Sequence, residues 1–347
     1  MTAPRRLYHL ALRDLHASAG AAFHVRGEWS LPAHYGDAAA EHAAIREAAA
    51  AVDRSHRSRI LVSGTDAHVV LSRTFMGRID QLSEGRAMRT VALNSEGQVV
   101  DLVLIARTGG IAFLVSGEPG RRAETLSRLR DAVEPGFDVR IDDRAETTCL
   151  VALTGPGAAR AVNDHLSDAL PARLQALHCV TFELHGFRAL AIRASDAGED
   201  GFEFMLAPAV AQHVVETLRT AGIPLAGDLA MESARVEACI PAFNPDLSPG
   251  LSPAEADLDV LLDVPGGAAK RILAAILLEG GPVAAGTPLT RDGARVGEVR
   301  SCLRSFMLDR VIGLAVIDAP HALPGVTLDA GGILATIVAK PFYRRRS

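Results

Sequence analysis

Two stretches of this chain run through the same order of elements, and that repetition constrains the fold more than any single motif. In the first, Ile60-Leu61-Val62-Ser63-Gly64 reads as a strand and turn and Asp66 to Phe75 as a helix. Thr90 to Leu93, Val99 to Ile105 and Ile111 to Ser116 then read as strands. Gly120 to Val133 closes the run as an amphipathic helix, with Leu126, Leu129 and Val133 at helical spacing. In the second, Cys149 to Leu153 is a strand, and Thr154-Gly155-Pro156-Gly157 opens a helix. Val180 to Leu184 and Phe187 to Ile192 form a hairpin, Phe202 to Leu206 a further strand, and Val210 to Ala221 a helix. Strand, helix, strands, helix, met twice, predicts two related α+β halves. Ahead of them lies an alanine-rich helix from Ala38 to Val52, with Asp37 placed to cap it.

From about residue 240 the pattern changes. Pro241, Pro245, Pro249 and Pro253, with Asn244, Ser248 and Ser252, make a long irregular crossing segment. After Gly280 come short strands set off by Gly and Pro: Pro288 to Thr290, Arg295 to Val299, Val311 to Ile317 and Ile333 to Val338. They predict a small all-β domain, a sandwich or a barrel.

Composition excludes several classes of function. With 347 residues the chain has room for two or three domains and a sizeable core. A net charge of -5 leaves no basic field for a phosphate backbone, and 4% aromatics supply no stacking platform, so a nucleic-acid partner is not expected. The best apolar run, Ile272 to Leu278, stops at Glu279, too short for a membrane span. Arg5 and Arg6 precede an apolar stretch soon broken by Arg13, Asp14 and His16, which is not a signal-peptide core. Cys149, Cys179, Cys239 and Cys302 form no CxxC pair and read as free thiols of a cytoplasmic protein. The histidines form no HxxxH pair, so no metal is expected. Arg160 stands where a GxGxxG after Gly155 needs its third glycine, and there is no P-loop.

Three groups of residues carry candidate chemistry. Asp101 interrupts the apolar run from Val99 to Ile105, where a carboxylate is costly unless it is paired or acts on something. Glu203 follows the acidic loop Gly198-Glu199-Asp200-Gly201. Either that loop is a solvated turn with Glu203 on a wet strand face, or Glu203 points into a pocket, where its two oxygens match a planar fork of N–H donors such as a pterin edge. Arg235 and Glu237, two apart, face different ways on a helix and read as structural ion pairing or as part of a site. Asp53, Ser55 and His56 are nucleophile-type residues without nucleophile-elbow or triad spacing.

In order and spacing these segments resemble the glycine-cleavage T-protein family of tetrahydrofolate-dependent aminomethyltransferases and demethylases. The resemblance begins at Leu7-Tyr8 and takes in Gly27 to Pro32 with Tyr35, Glu41 to Arg46, and Val52-Asp53-Arg54-Ser55-His56. It continues through Asn94 to Asp101 and Leu153-Thr154-Gly155-Pro156. Gly198 to Glu203 matches the family's Gly-Glu-Asp-Gly-Phe-Glu without change, and Arg235-Val236-Glu237-Ala238 resembles its Arg-Leu-Glu-Ala. Val296 to Val299 and Lys340-Pro341-Phe342-Tyr343 complete it.

The resemblance implies an α+β fold, a three-domain cloverleaf. Two of its domains are mixed α/β and ferredoxin-like in type, and the third is a C-terminal antiparallel β-barrel or jelly-roll-like domain. The boundaries expected are 1–57 plus 146–245 (folate-binding), 58–145 (carrying Asp101), and 246–347 (crossing segment and β-domain). Asp101 takes the place of the catalytic carboxylate beside the folate nitrogens, Glu203 of the pterin-gripping acid, and Arg235 of the arginine near folate and the reacting group. A desolvated Asp steers a proton or balances a developing cation.

The departures bear on the donor. Asp196 and Arg89 stand where the family has tyrosines, Gly117 where it has asparagine, Leu102 for the second acid of Asp-Asp, and Arg57 for the methionine of Ser-His-Met. Arg89 and Asp196 have opposite charges and can pair. With Gly117 they are expected to line the folate and donor cavity. The function expected is a tetrahydrofolate-dependent one-carbon transferase with an altered pocket, moving a methyl, methylene or aminomethyl group between a small donor and tetrahydrofolate. The alternatives are a true glycine-cleavage aminomethyltransferase acting on a lipoyl carrier protein, and a non-catalytic folate-binding protein. The Lys-Gly-Cys-Tyr-x-Gly-Gln-Glu signature of the iron–sulfur-repair branch is absent.

Overall fold

The structure, a computed structural model, describes residues 7–166, 173–184, 186–248, 250–258 and 269–345. Arg5 and Arg6 near the start and Pro249 of the irregular segment, all read above, lie outside them. The chain forms two compact units. The first holds the residues up to Thr90, then Val103–Ser195 and Glu199–Met231. The second holds Val91–Leu102, Asp196–Gly198 and the chain from Glu232 onward. The expectation of an α+β fold with a C-terminal barrel is borne out.

A five-stranded sheet runs in the order Cys179–Leu184, Phe187–Ile192, Gly201–Leu206, Cys149–Thr154 and Ala50–Asp53. All four neighbouring pairs are antiparallel. One face buries Val151, Leu153, Phe202 and Phe204 under helix Ala158–His165 and helix Pro208–Thr220, which contribute Val162, Val210 and Val214. The hairpin expected over 180–192 is present, joined one-to-one from Cys179↔Ile192 to Leu184↔Phe187.

The alanine-rich helix ends earlier than its composition predicts. Asp37 caps it, accepting from the amides of Ala39 at 2.9 Å and Ala40 at 3.1 Å, but the helix is Ala38–Glu47. Ala50–Asp53 is instead a buried edge strand, with Val52 opposite Ala152. Alanine satisfies either state, and the tertiary pairing decides. The small sheet of Tyr8–His9, Trp29–His34 and Ala22–Arg26 has no counterpart in the sequence reading.

A second five-stranded sheet runs in the order Ala87–Leu93, Val99–Gly109, Ala112–Gly117, Ile60–Ser63 and Arg140–Asp143. Helices Ala67–Thr74 and Arg122–Asp131 stand where the sequence places them, each shortened at its ends. Within the first unit the two sheets share a core in which Leu104, Ala106 and Leu114 meet Leu190, Ile192 and Ala194.

In the second unit the chain ends in a closed six-stranded barrel. Its order is Arg271–Leu278, Val311–Asp318, Ala294–Arg304, Pro288–Arg291, Thr327–Asp329 and Leu334–Val338, with the last strand paired back to the first. Ala274, Ile276 and Leu278 point inward at period two against Val299, Ala315, Ile317 and Ile337. On the other face Leu273 and Ala275 are buried as well, and Leu277 is half-buried. That double burial leaves no alternation in the sequence to mark the run as a strand. Among the described residues no helix is long and apolar enough to cross a membrane. All four cysteines are free, and burial pushes the thiols of Cys149, Cys179 and Cys239 up to about 11, so they are protonated at neutral pH.

One motif glycine has a steric reason. Gly155 adopts φ +136°, and a Cβ there would lie 2.5 Å from the Ala48 carbonyl oxygen. Its amide donates to the Asp200 carbonyl at 2.8 Å, so turn and acidic loop are tied together. Gly155→Ala is expected to destabilise the first unit by ~1–3 kcal/mol, from the overpacking and the positive φ together. The urea midpoint measures it, and an unchanged midpoint would contradict the steric reading.

Candidate functional site

Glu203 sits on Gly201–Leu206, an inner strand of the first sheet, opposite Ala152 on one side and Ile192 on the other. Side chains alternate along a strand. Phe202 and Phe204 enter the helix-covered core, so Glu203 projects from the other face, the one Ile192 shares. It is 5% exposed, which removes the wet-face alternative.

The acids before it are not a solvated turn either. Asp200 is buried and takes a two-point contact from Arg193, Nε to Oδ1 at 2.9 Å and Nη2 to Oδ2. It also accepts from the Gly201 amide at 3.0 Å. Buried Glu199 pairs with Arg46 at 3.4 Å. A loop this short keeps two carboxylates out of water because each meets a guanidinium. The Gly-Glu-Asp-Gly run therefore delivers Glu203 from a fixed base.

Two further expected residues belong to the first unit. Arg89, half-buried in Ala87–Leu93, donates from Nη2 to the Ser195 carbonyl at 3.0 Å, one residue short of Asp196. Gly117 ends its strand opposite Val103, and its amide donates to Ser58 Oγ at 2.9 Å. Beside it, two buried side chains meet: Arg57 Nη1 donates to Glu118 Oε1 at 2.8 Å. The arginine that replaces the family's methionine is thus matched by an acid next to Gly117.

The second unit contains Asp101, Asp196 and Arg235. Asp101 is 2% exposed in strand Val99–Gly109, with Val99, Leu102 and Val103 buried around it in the chain. Asp196 is half-buried in the short segment Asp196–Gly198.

Arg235 lies in the last turn of helix Asp228–Glu237 and is 6% exposed. Nη1 donates to Asp246 Oδ2 at 2.6 Å and to the Ile240 carbonyl at 3.4 Å. Nε and Nη2 reach Glu232 at 2.9 and 2.8 Å, and Nη2 also reaches Ser301 Oγ at 2.9 Å. Burial disfavours the charge, but Asp246 and Glu232 prevail and raise the guanidinium's pKa above its ordinary value. Every N–H direction of this fork meets a protein acceptor. The geometry suits an arginine that orders its surroundings.

Of the two acids that organise this unit, sequence reasoning missed Asp246 and marked Glu237 without its partners. Asp246 is fully buried and accepts from Arg235, from the Ala242 amide at 2.9 Å and from Ser301 Oγ. Glu237, also fully buried, accepts from Ser233 Oγ at 2.9 Å and Ser305 Oγ at 2.6 Å. Their serine partners lie up to 68 residues away, a separation no local spacing reveals. The nucleophile-type cluster divides. Asp53 pairs with His16 at 2.9 Å, not with His56, and Ser55 Oγ accepts from the Leu150 amide at 2.9 Å. Burial, reinforced by Arg54 and other arginines, holds the His56 pKa well below its usual value. These residues form no Ser-His-Asp relay.

Comparison with known proteins decides the family. The GCVT N-terminal domain matches residues 12–265, and the glycine cleavage T-protein C-terminal barrel domain matches residues 271–344. This chain belongs to the glycine cleavage T-protein family. An aminomethyltransferase of Streptomyces avermitilis is 32% identical over 99% of both chains. One of Saccharopolyspora erythraea is 31% identical over 100% of both. The crystal structure of glycine cleavage system aminomethyltransferase T from Bartonella henselae superimposes with a TM-score of 0.86 at 24% identity, covering 98% of this chain and 99% of that one. The protein is an enzyme of the transferase class, and the resemblance read from its motifs holds over its length.

Proposed function

We propose that this T-protein family member transfers an aminomethyl group from a lipoyl carrier arm to tetrahydrofolate. The full-length match to proteins named aminomethyltransferase carries the reading. It favours the glycine-cleavage alternative over the one-carbon transferase with an altered pocket toward which Arg89, Asp196 and Gly117 pointed. Those three remain in the proposal as lining of the folate and donor cavity. The division into 1–57 plus 146–245, 58–145 and 246–347 is kept with them.

The transfer breaks the carbon–sulfur bond to the arm and joins the carbon to two folate nitrogens, releasing ammonia and a thiol. Positive charge builds on the carbon as sulfur leaves. In this proposal Asp101, buried in its strand, balances that charge and carries a proton between folate nitrogen and departing amine. Glu203 accepts from the N–H fork of the pterin, which an acceptor-only group on an inner strand is suited to do. Arg235 acts as a positioning residue, because its donors are engaged by Asp246, Glu232 and Ser301.

Glu203→Gln keeps the shape and replaces half the acceptor with a donor. A hydrogen bond to a charged group is worth ~1.5–3 kcal/mol, so tetrahydrofolate is expected to bind about 10- to 100-fold more weakly. Titration calorimetry on folded variant and wild type measures it. Equal affinity would remove Glu203 from the site, and no binding by wild type would end the folate reading.

A further inference from the structure

We propose that a cleft between the two five-stranded sheets of the first unit binds an organic anion with an apolar body, a site beyond the transfer reaction. The cleft holds about 1310 Å³ of empty space, counting solvent at its mouth. Its floor continues the inter-sheet core through Leu61, Leu190 and Met205, with Phe113 beside them. Its rim is cationic: Arg140, Arg144 and Arg188 line it, against the single carboxylate of Asp142.

That carboxylate serves two of the three arginines, Arg144 at 2.6 Å and Arg140 at 3.4 Å. Arg188, exposed on strand Phe187–Ile192, stands opposite Glu183 in the hairpin register but makes no ion pair within 4 Å among the described residues. Arg144 Nε is buried and meets no acceptor. A buried N–H without a partner is uncommon in a folded protein. The two edge strands, Cys179–Leu184 and Arg140–Asp143, contribute Thr181 and Arg140 to the lining. A guanidinium rim over an aliphatic and aromatic floor selects a carboxylate or sulfonate on a hydrocarbon or ring body. A neutral apolar molecule leaves the rim unmatched, and a small inorganic anion leaves the floor unfilled.

The test uses the whole protein with 8-anilinonaphthalene-1-sulfonate as fluorescent anion and octanoate as competitor. Saturable fluorescence is expected, displaced by octanoate and at least tenfold less by 1-octanol, and left in place by 5-formyltetrahydrofolate. The double variant Arg140→Glu/Arg188→Glu, changed at exposed rim positions, is expected to bind the probe at least tenfold more weakly, with an unchanged melting temperature. Unchanged affinity in that variant, equal displacement by octanol, or displacement by the folate would each overturn the proposal. The variant Leu190→Asp, aimed at the floor, provides a second arm: undiminished probe affinity in folded protein would also overturn it.

Discussion

Asp101→Asn is expected to lower turnover by about 10²- to 10⁴-fold, the usual range for a general acid–base group, while tetrahydrofolate affinity moves by less than tenfold. The substitution keeps shape and burial and removes the charge and the exchangeable proton. If Asp101 served only to hold its strand, the neutral amide would be tolerated at a 2%-exposed position and turnover would stay near wild type. Steady-state rates paired with calorimetry separate the two roles. A parallel loss of binding and turnover would make Asp101 a folate ligand instead of a catalyst.

The largest structural effect is expected at Asp246. This fully buried carboxylate accepts from Arg235, the Ala242 amide and Ser301. Asp246→Ala leaves the Arg235 guanidinium charged, buried and short of an acceptor. Breaking a buried ion pair from one side costs ~3–5 kcal/mol. The second unit should lose stability of that order, read from its urea midpoint. Replacing both partners, Arg235→Met with Asp246→Leu, should cost less, because the fully buried charge goes with its partner and the Glu232 carboxylate left behind is partly exposed to solvent. Equal losses in the single and double variants would show that the pair's charge is not what Asp246 balances.

The sequence was most informative where one physical signal governed a segment. Asp101 stood out because an acid broke an apolar run, and Glu203 because the loop before it matched a complete motif. The helices at 66–75 and 120–133 followed from spacing, and the hairpin at 180–192 from two β-rich runs about a turn. Other features depended on partners far away in the chain. The end of the alanine-rich helix is set by strand Ala50–Asp53 pairing with Cys149–Thr154, about a hundred residues on. Strand Arg271–Leu278 is apolar on both faces, so no alternation marks it as a strand. The loop acids Glu199 and Asp200 have the composition of a solvated surface, and only Arg46 and Arg193, distant in the chain or across the loop, make them buried pairs.

Arg235 shows the same division. The Arg-Val-Glu-Ala motif marks the position, but its meaning depends on Asp246, Ser301 and Ser305, contributed by the irregular segment and the barrel. The charged departures are informative in their own way. Arg57 has an acid partner in Glu118, so its charge is balanced within the protein.

The most direct measurement is single-turnover transfer from a lipoyl carrier loaded with a ¹³C-aminomethyl group. With the enzyme, tetrahydrofolate and loaded carrier together, the label should appear as 5,10-methylenetetrahydrofolate, with one equivalent of ammonia. Neither should form when folate or enzyme is left out, and Asp101→Asn should form both far more slowly. Label remaining on the carrier while the enzyme demonstrably binds tetrahydrofolate would contradict aminomethyl transfer. Labelled folate formed instead from a small N-, O- or S-methyl donor would restore the demethylase.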